Sequence, residues 1–243
     1  MRTFGLIGYP LGHSFSKKYF TDKFEREGIT GNAYELYPLE QIGQLEDLLV
    51  AHPDLAGLNV TIPYKEQVIA YLDSMSPVVE QIGACNCILI DEGRLIGHNT
   101  DVIGFSKSLL PKLQPHHKKA LILGTGGSSK AVTYVLNELG ISFSQVSRMP
   151  IDGMIGYEDI DQSMLESHTL LINTTPVGMY PDIEKAPALP YEFIGADHYL
   201  FDLVYNPERT MFLQQGALRG AAVENGADML VIQAEASWEI WNS

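Results

Sequence analysis

The segment LILGTGGSSKAV, at residues 121–132, constrains the fold of this 243-residue chain more than any other. A short apolar strand is predicted to end at Gly124, and Gly126 and Gly127 follow before a helical stretch begins. Glycines let a backbone bend sharply and approach a pyrophosphate, whose charge then faces the N–H groups at the start of the next helix. The spacing therefore predicts a dinucleotide-binding turn. A purely structural turn in an α/β protein is the alternative.

The end of the next predicted strand indicates which dinucleotide binds. Turns that bind NAD usually have an acidic residue about 20 positions further on, which holds the ribose 2′-OH. This chain has Ser147 and Arg148 at that place. A guanidinium offers a charge-assisted fork to an anion, so the pair suits a 2′-phosphate. The sequence therefore predicts NADP(H) rather than NAD as cofactor, with a solvated surface arginine as the alternative.

Composition limits the partners of the chain. Sixteen Lys and Arg against 30 Asp and Glu give a net charge of −14, which argues against binding nucleic acid. No apolar run approaches the roughly 18 residues of a membrane-spanning helix, and the N-terminal segment becomes polar too early for a signal peptide. Cys85 and Cys87 are expected to be buried thiols in a reducing compartment. We expect a cytoplasmic protein, monomer or homodimer, without a metal ion and without nucleic-acid or membrane partners.

Strands and helices alternate along the first hundred residues, which is typical of an α/β layer with a mostly parallel sheet. Strands are predicted at 2–8, 33–38 and 55–60, helices at 14–27, 39–50 and 64–72, and a closing pair of strands at 83–90 and 94–99.

The second half repeats the alternation after a candidate boundary near Pro111 and Pro115. A helix is predicted to start at Asp101, strands at 120–123, 142–146, 169–172 and 200–204, and a last helix at 227–241. We predict two α/β domains: an N-terminal, mostly parallel substrate domain (1–101 plus 225–243) and a Rossmann-like NADP-binding domain (102–224), with the active site in the cleft between them.

Polar clusters follow the predicted strands, where open α/β sheets bind their ligands. They lie at 12–16, at 59–65, at Asn86 and at 99–101. Each has a structural alternative, because Ser14 or Asp101 could be a helix N-cap and Lys65 a solvated surface lysine. Together, hydroxyls, amides, one lysine and one carboxylate suit a small substrate rich in hydroxyl groups.

The ordered set of motifs resembles the shikimate dehydrogenase family across nearly the whole chain. The motifs are GYPLGHSFS at 8–16, NVTIPYK at 59–65, GACN at 83–86, NTD at 99–101, GTGG at 124–127, NTTPVGM at 173–179, DLVYNP at 202–207 and MLVIQA at 229–234. The resemblance implies reduction of 3-dehydroshikimate to shikimate with NADPH, in aromatic amino acid biosynthesis.

The resemblance also implies roles for individual residues. Substrate-binding roles fall on Ser14, Ser16 and Tyr205 at the carboxylate and on Thr61, Asn86 and Gln233 at the ring hydroxyls, while Lys65 and Asp101 flank the reacting oxygen. Cofactor roles fall on Gly124, Gly126 and Gly127 at the pyrophosphate, Ser147 and Arg148 at the 2′-phosphate, and Asn173, Thr174 and Met179 at the nicotinamide end.

The chemistry fits these roles, because hydride delivery to a ketone leaves negative charge on its oxygen. A lysine can both relieve that charge and give a proton. The alternative is that Lys65 only positions the substrate while a water or another group moves the proton. For Gln233, the alternative is a core amide bonded to backbone.

Four positions depart from the family pattern. Lys17 stands where the family commonly has Pro, Cys87 where Thr is usual, Met149 where Thr follows the arginine, and Asp228 where some members have Gly. Lys17 puts in question the shape of the loop that carries Ser14 and Ser16, which we call the serine loop. Met149 predicts a weaker preference for NADP. Two other functions stay open: a quinate or dual quinate/shikimate dehydrogenase, and a non-catalytic dinucleotide-binding module.

Overall fold

The computed structural model describes residues 2–12, 14–151 and 153–243, so His13 of the first motif lies outside the described residues. The chain divides into two compact units. One comprises Met1–Ile103 with Val231–Ser243, and the other comprises Gly104–Leu230. The division falls within two helices, because the helix that starts at Asp101 and the last helix each contribute to both units.

The first unit is built on a six-stranded sheet with the order β2-β1-β3-β5-β6-β4. Parallel pairs join β1 to β2, β1 to β3 and β4 to β6, whereas β5 runs antiparallel to both β3 and β6. The strands are β1 (Arg2–Gly8), β2 (Asn32–Pro38), β3 (Leu55–Val60), β4 (Ser74–Met75), β5 (Cys87–Asp91) and β6 (Arg94–His98), and the helices are α1 (Phe15–Arg26), α2 (Gln44–Ala51) and α3 (Pro77–Ile82).

The core of this unit lies on both faces of the sheet. One apolar cluster includes Ile7, Leu58 and Ile88, together with residues of α2 and α3. A second, largely aromatic cluster includes Phe4, Phe20, Tyr34 and Trp241, so the end of the chain packs against α1 and β1. The C-terminal helix, α8 (Ala227–Trp241), thus returns to the unit formed by the first hundred residues.

The second unit contains a five-stranded sheet in which every pair is parallel, in the order β8-β7-β9-β10-β11. This 2-1-3-4-5 order is one of the two common doubly wound arrangements, and its switch point lies between β7 and β9. The strands are β7 (Lys119–Leu123), β8 (Ser142–Val146), β9 (Leu170–Asn173), β10 (Tyr199–Asp202) and β11 (Ala222–Glu224), and the helices are α4 (Asp101–Leu109), α5 (Gly127–Glu138), α6 (Gln162–Ser167) and α7 (Met211–Ala217).

The α/β fold class predicted from the sequence is confirmed, and most of the predicted strands lie where expected. Two predicted helices are wrong in extent. The helix expected at 39–50 begins only at Gln44, because a turn with a Gln44 N–H to Gln41 C=O bond precedes it. The helix expected at 64–72 is a short 3₁₀ segment at Gln67–Tyr71, since the carbonyl of Lys65 accepts from Cys85 and is not available to the helix.

Candidate functional site

Polar residues of the first unit converge at one edge of its sheet for a topological reason. β1, β3 and β6 run in the same direction, and β5 runs against them, so the start of β5 meets the ends of the other three. The predicted residues lie at this edge. Ser14 and Ser16 follow β1, Thr61 and Lys65 follow β3, Asp101 follows β6, and Asn86 precedes β5.

Lys65 and Asp101 form a close ion pair in this cluster. The Lys65 Nζ lies 2.6 Å from Asp101 Oδ2, and the two side chains are 13% and 10% exposed. A short, largely desolvated ion pair fixes the direction of the ammonium and still leaves it accessible from one side. The structure therefore brings together the two residues expected to flank the reacting oxygen, although they are 36 positions apart in the chain.

The carboxylate of Asp101 is not needed as a helix cap. Asn99 performs that task, because its Oδ1 accepts from the N–H of Val102 in the first turn of α4. Both carboxylate oxygens of Asp101 are thus committed to side chains: Oδ2 to Lys65 and Oδ1 to Asn86 Nδ2, at 2.9 Å. The structural alternative that Asp101 acts as the N-cap is wrong.

Asn86 connects Asp101 to two further polar side chains. Its Oδ1 accepts from the N–H of Thr100 at 2.6 Å, and its Nδ2 lies 3.1 Å from Thr100 Oγ1. Gln233, on α8, brings its Oε1 to 3.5 Å from the same Nδ2. All three are buried. The sequence places Thr100 in the polar cluster at 99–101 but gives it no role of its own, and its contacts with Asn86 supply one.

Ser14 and Ser16 belong to the turn that opens α1. Ser14 is the N-cap residue, and its Oγ accepts from the N–H of Lys17 at 3.4 Å. The Lys17 ammonium forms an ion pair with Glu35 of β2, at 2.6 Å. The lysine therefore contributes a backbone donor and an anchor to β2, neither of which a proline at this position supplies. Thr61 is half-buried in the turn after β3, where its N–H donates to Ile7 of β1.

The second unit carries the predicted dinucleotide turn at its switch point. Gly124 has φ +115°, a conformation that side-chain-bearing residues rarely adopt, and a Cβ there would lie 2.6 Å from Thr174 Oγ1 in the segment after β9. Gly126 is the N-cap of α5, and a Cβ built on it meets nothing within 4 Å. Being glycine, it offers no side chain to the N–H groups of the first turn, which contains no acidic residue. The backbone N–H groups of the first turn of α5 therefore form a set of donors that fits a pyrophosphate.

Ser147 and Arg148 follow β8, one strand away from the glycine turn. The Ser147 Oγ accepts from the N–H of Met149 at 3.1 Å, and Arg148 is exposed. Burial raises the pKa of Tyr157 and the nearby positive charge of Arg148 opposes that rise. An exposed guanidinium and a hydroxyl at the end of β8 fit a 2′-phosphate, while the exposed Met149 adds no polar group.

Asn173, at the end of β9, has an amide that bonds within the protein. Its Oδ1 accepts from Thr175, and its Nδ2 donates to Asp202 Oδ1 at 2.9 Å. Asp202 also accepts from Thr210 and from the N–H of Val204, and burial raises its pKa to about 6 in spite of these bonds. Asn173 and Asp202 thus shape the turn after β9, which carries the half-buried Thr174.

Three further residues singled out in the sequence lie elsewhere in the second unit. Met179 is 43% exposed, and its N–H donates to the carbonyl of Pro176 in a turn. Tyr205 and Asp228 line the same open cavity of about 650 Å³, together with Glu208, Arg209, Leu213, Val223, Glu224, Asn225 and Ala227. Asp228 therefore shares its surroundings with Tyr205.

Metal clusters and membrane-spanning helices are both absent from the described part of the chain. No group of three or more His, Cys, Asp or Glu side chains within residues 2–12, 14–151 and 153–243 is placed to hold a metal ion. In the same ranges, no helix is both long and apolar enough to cross a membrane. Cys85 and Cys87 are free, buried thiols.

Comparison with known proteins gives one family. A family model described as the shikimate dehydrogenase substrate binding domain matches residues 6–88. A shikimate dehydrogenase (NADP(+)) of Methanococcus maripaludis is 36% identical over 254 residues, covering 98% of this chain and 90% of that protein.

Solved structures give the same result over the whole fold. Shikimate 5-dehydrogenase from Thermus thermophilus, in complex with NADP(H) and shikimate, matches with a TM-score of 0.87 and 32% identity, covering 99% of this chain and 93% of that one. Quinate dehydrogenase from Corynebacterium glutamicum, in complex with NAD, matches with a TM-score of 0.86 and 26% identity, with coverages of 99% and 93%.

Proposed function

This chain belongs to the shikimate dehydrogenase family, and we propose that it reduces 3-dehydroshikimate to shikimate with NADPH, one step of the shikimate pathway to aromatic amino acids. The observation that carries the proposal is the Lys65–Asp101 ion pair, held by Asn86 at the sheet edge where Ser14, Ser16 and Thr61 also lie. An ammonium beside hydroxyl and amide groups is what a polyhydroxylated ketone requires.

Each polar group of the first unit receives a defined task in this proposal. The hydroxyls of Ser14 and Ser16 donate to the substrate carboxylate, and the family resemblance adds Tyr205, a residue of the second unit, as a further donor. Thr61, Asn86 and Gln233 bind the ring hydroxyls and so orient the ketone. Asp101 fixes the Lys65 ammonium by accepting one of its hydrogens, which leaves the other hydrogens of Nζ for the substrate.

Proton transfer follows from this arrangement. When NADPH is bound, it supplies the hydride that reduces the ketone carbon. The negative charge that develops on the ketone oxygen is met by the Lys65 ammonium, which donates a proton to that oxygen and yields the alcohol. Lys65 then regains a proton from solvent. In the oxidation of shikimate, the neutral amine of Lys65 takes the hydroxyl proton back.

The cofactor is held by the second unit in this account. The N–H groups at the start of α5, with Gly124, Gly126 and Gly127, bind the pyrophosphate, and Ser147 with Arg148 binds the 2′-phosphate. Thr174 and Met179 contact the nicotinamide end, and Asn173 acts by holding the turn that carries Thr174. We assign residues 1–101 with 225–243 to substrate binding and 102–224 to cofactor binding.

A second candidate is oxidation of quinate, alone or together with shikimate. The likeness to a quinate dehydrogenase in complex with NAD favours it. Quinate differs by a hydroxyl on the carbon that bears the carboxylate, so the serine loop is where the two acids are distinguished.

A spectrophotometric panel tests these functions. NADPH absorbance is followed with 3-dehydroshikimate, and the reverse reaction is run with shikimate and with quinate, each with NADP and with NAD. We expect the highest kcat/KM for the shikimate pair with NADP(H). Faster turnover of quinate selects the second candidate, and no turnover with any pair leaves only a non-catalytic dinucleotide-binding protein.

We further propose that the protein works in the cytoplasm, as a monomer or a homodimer, without a nucleic-acid or membrane partner. Its two free, buried thiols suit a reducing compartment, and its net charge of −14 opposes binding to phosphate backbones. Cell fractionation tests the compartment, and light scattering coupled to gel filtration gives the mass in solution.

A further inference from the structure

A series of buried hydrogen bonds continues beyond Asn86 into the first unit. Thr100 Oγ1 lies 3.2 Å from Ser237 Oγ, and Asn59 Nδ2 donates to the same serine oxygen at 2.9 Å. Asn59 Oδ1 in turn accepts from the Tyr34 hydroxyl at 2.8 Å. These four residues, which we call the Ser237 network, are at most 4% exposed and come from β2, β3, the segment after β6, and α8.

The hydrogens available fix the direction of the bonds around Ser237. Its hydroxyl has one hydrogen, which goes to the carbonyl of Gln233 at 2.9 Å. With that hydrogen on Gln233, Ser237 Oγ accepts from Thr100, and Thr100 Oγ1 accepts from Asn86 Nδ2. The second Asn86 hydrogen goes to Asp101 Oδ1. The orientation of the Asn86 amide is thus coupled, through Thr100, to a serine one helical turn beyond Gln233.

The other end of the network reaches the serine loop. Burial raises the pKa of the Tyr34 hydroxyl far above its usual value, and the nearby Ser16 side chain opposes that rise. Tyr34 thus lies near Ser16, which is assigned to the substrate carboxylate, while Asn86 donates to Asp101, which orients Lys65. The network connects the two ends of the substrate site through the interior of the unit.

Stability alone does not account for polar residues at these positions. The network lies beside the aromatic cluster of Phe4, Phe20 and Trp241, where apolar side chains of similar size avoid the cost of desolvating polar groups. A fully paired polar network instead selects one arrangement of the side chains that it holds. Here those side chains include Asn86 and Gln233, which the substrate contacts.

We propose that Ser237 and Tyr34 are positioning residues for the reaction, which through Thr100 and Asn59 hold Asn86 and Gln233 in the orientation that binds the substrate hydroxyls. The inference rests on the proposed function. It adds two residues that do not themselves touch the substrate.

The test begins with Ser237→Ala, which removes the acceptor of Asn59 and of Thr100. The Thr100 hydroxyl then turns to Asn86 Oδ1 or Gln233 Oε1, at 3.3 and 3.4 Å, and disturbs both amides. We expect the Kd for shikimate, measured by calorimetry on the full chain without cofactor, to rise about tenfold. The kcat/KM for 3-dehydroshikimate falls by a similar factor, while the KM for NADPH stays within about twofold.

Ser108→Ala is the matched control. Ser108 is also buried on a helix, and its hydroxyl also donates to the carbonyl four residues earlier, that of Gly104. The substitution Ser108→Ala removes from α4 the same kind of hydroxyl-to-carbonyl bond that Ser237→Ala removes from α8. We expect it to lower the unfolding temperature to a similar extent as Ser237→Ala and to leave the Kd for shikimate unchanged.

Two further variants separate positioning from packing. Tyr34→Phe removes only the donor to Asn59. We expect it to weaken shikimate binding, but less than Ser237→Ala does. In a double-mutant cycle, the effects of Ser237→Ala and Gln233→Ala on binding should be less than additive, because without the glutamine amide there is less to orient. Ser108→Ala and Gln233→Ala should be additive.

Wild-type shikimate binding by Ser237→Ala and Tyr34→Phe, or additive effects of Ser237→Ala and Gln233→Ala, overturns the inference. If Ser237→Ala does not fold, the Kd of Tyr34→Phe for shikimate is the deciding measurement, and an unchanged Kd overturns the inference. Failure of the proposed function is distinguishable, because it shows in the unmodified protein as absent turnover of 3-dehydroshikimate, whereas failure of this inference shows only in the variants.

Discussion

The backbone N–H of Lys17 determines what the hydroxyl of Ser14 can do. Because Ser14 Oγ accepts from that N–H, the hydrogen of the hydroxyl itself remains available to donate. A donor is what a substrate carboxylate needs. The departure from proline at Lys17 thus preserves the serine loop by a different route, with the Lys17–Glu35 ion pair attaching it to β2.

Arg148 decides the choice between the two cofactors in this account. Arg148→Ala should weaken NADP binding by about 1.5–3 kcal/mol, as expected for the loss of a charge-assisted hydrogen bond, and should leave NAD binding nearly unchanged. Calorimetry with both cofactors measures this. Arg219→Ala is the control, since its guanidinium bonds to Gln215 of α7, the helix that ends just before it. Equal losses for NADP and NAD after Arg148→Ala would contradict a contact with the 2′-phosphate.

Asp202 makes the stability of the second unit depend on pH. Burial raises its pKa in the folded protein to about 6, above the ordinary value of 3.8. Between these values the folded state holds a proton that the unfolded state releases, so the contribution of this group to the free energy of unfolding falls as pH rises through the window. The loss of stability over the whole titration is about 3 kcal/mol, because each unit of pKa shift corresponds to about 1.4 kcal/mol.

Asp202→Asn removes this titration. The free energy of unfolding of the variant minus that of the wild type should increase by about 2.4 kcal/mol between pH 4 and pH 7, because part of the total falls below pH 4; urea denaturation across the range measures it. Asp161→Asn serves as the control, because hydrogen bonds from Met164 and Ser163 lower the pKa of Asp161 and move its titration below this window. A difference for Asp202→Asn that is flat with pH would contradict the account.

At the scale of elements, α8 is fixed by its last residues. Trp241 is 1% exposed, stacks on Phe4 at 4.8 Å and donates from Nε1 to the carbonyl of Ile88 on β5. Gly57 of β3 leaves the space that the indole fills, since a Cβ there would collide with it. This contact holds the helix that carries Gln233 against the sheet.

Trp241→Ala should therefore lower the free energy of unfolding of the first unit by about 3–5 kcal/mol. The chain has two tryptophans, Trp238 and Trp241, both on α8, so the fluorescence of Trp238 still follows unfolding in the variant. Trp238→Ala, at a less buried position, should cost less. A loss below about 1 kcal/mol for Trp241→Ala would show that α8 is held by other contacts.

Elements with local signals could be predicted from the sequence, and the others could not. The pair β5 and β6 is predictable because turn residues at 91–93 separate two apolar runs, and the structure has positive φ at Glu92 and Gly93. The short helix α3 was missed, although Ser76 caps it and Gly83 ends it in the left-handed conformation. The helix expected at 64–72 failed because Lys65 gives its carbonyl to Cys85, a contact that no local pattern shows.

At the scale of the molecule, strand order explains why separated motifs meet. In the first sheet, the ends of β1, β3 and β6 share one edge with the start of β5, and in the second the switch point lies between β7 and β9. Alternating strands and helices predicted such edges, but not which side chains touch. The contact of Asn86 with Gln233, 147 positions later, depends on the return of α8 and could only be expected through the family resemblance.

In the proposed reaction the Lys65 ammonium, fixed by Asp101, exchanges the proton during reduction of the ketone. The most direct measurement is the kcat and KM of Lys65→Ala for 3-dehydroshikimate at saturating NADPH, beside Lys112→Ala, which removes a lysine paired with Glu224 in the second unit. We predict that kcat falls ~10²–10⁴-fold for Lys65→Ala with KM changed only a few-fold, and that Lys112→Ala resembles the wild type. A raised KM with an intact kcat for Lys65→Ala would show that the lysine only binds substrate, and would contradict the account.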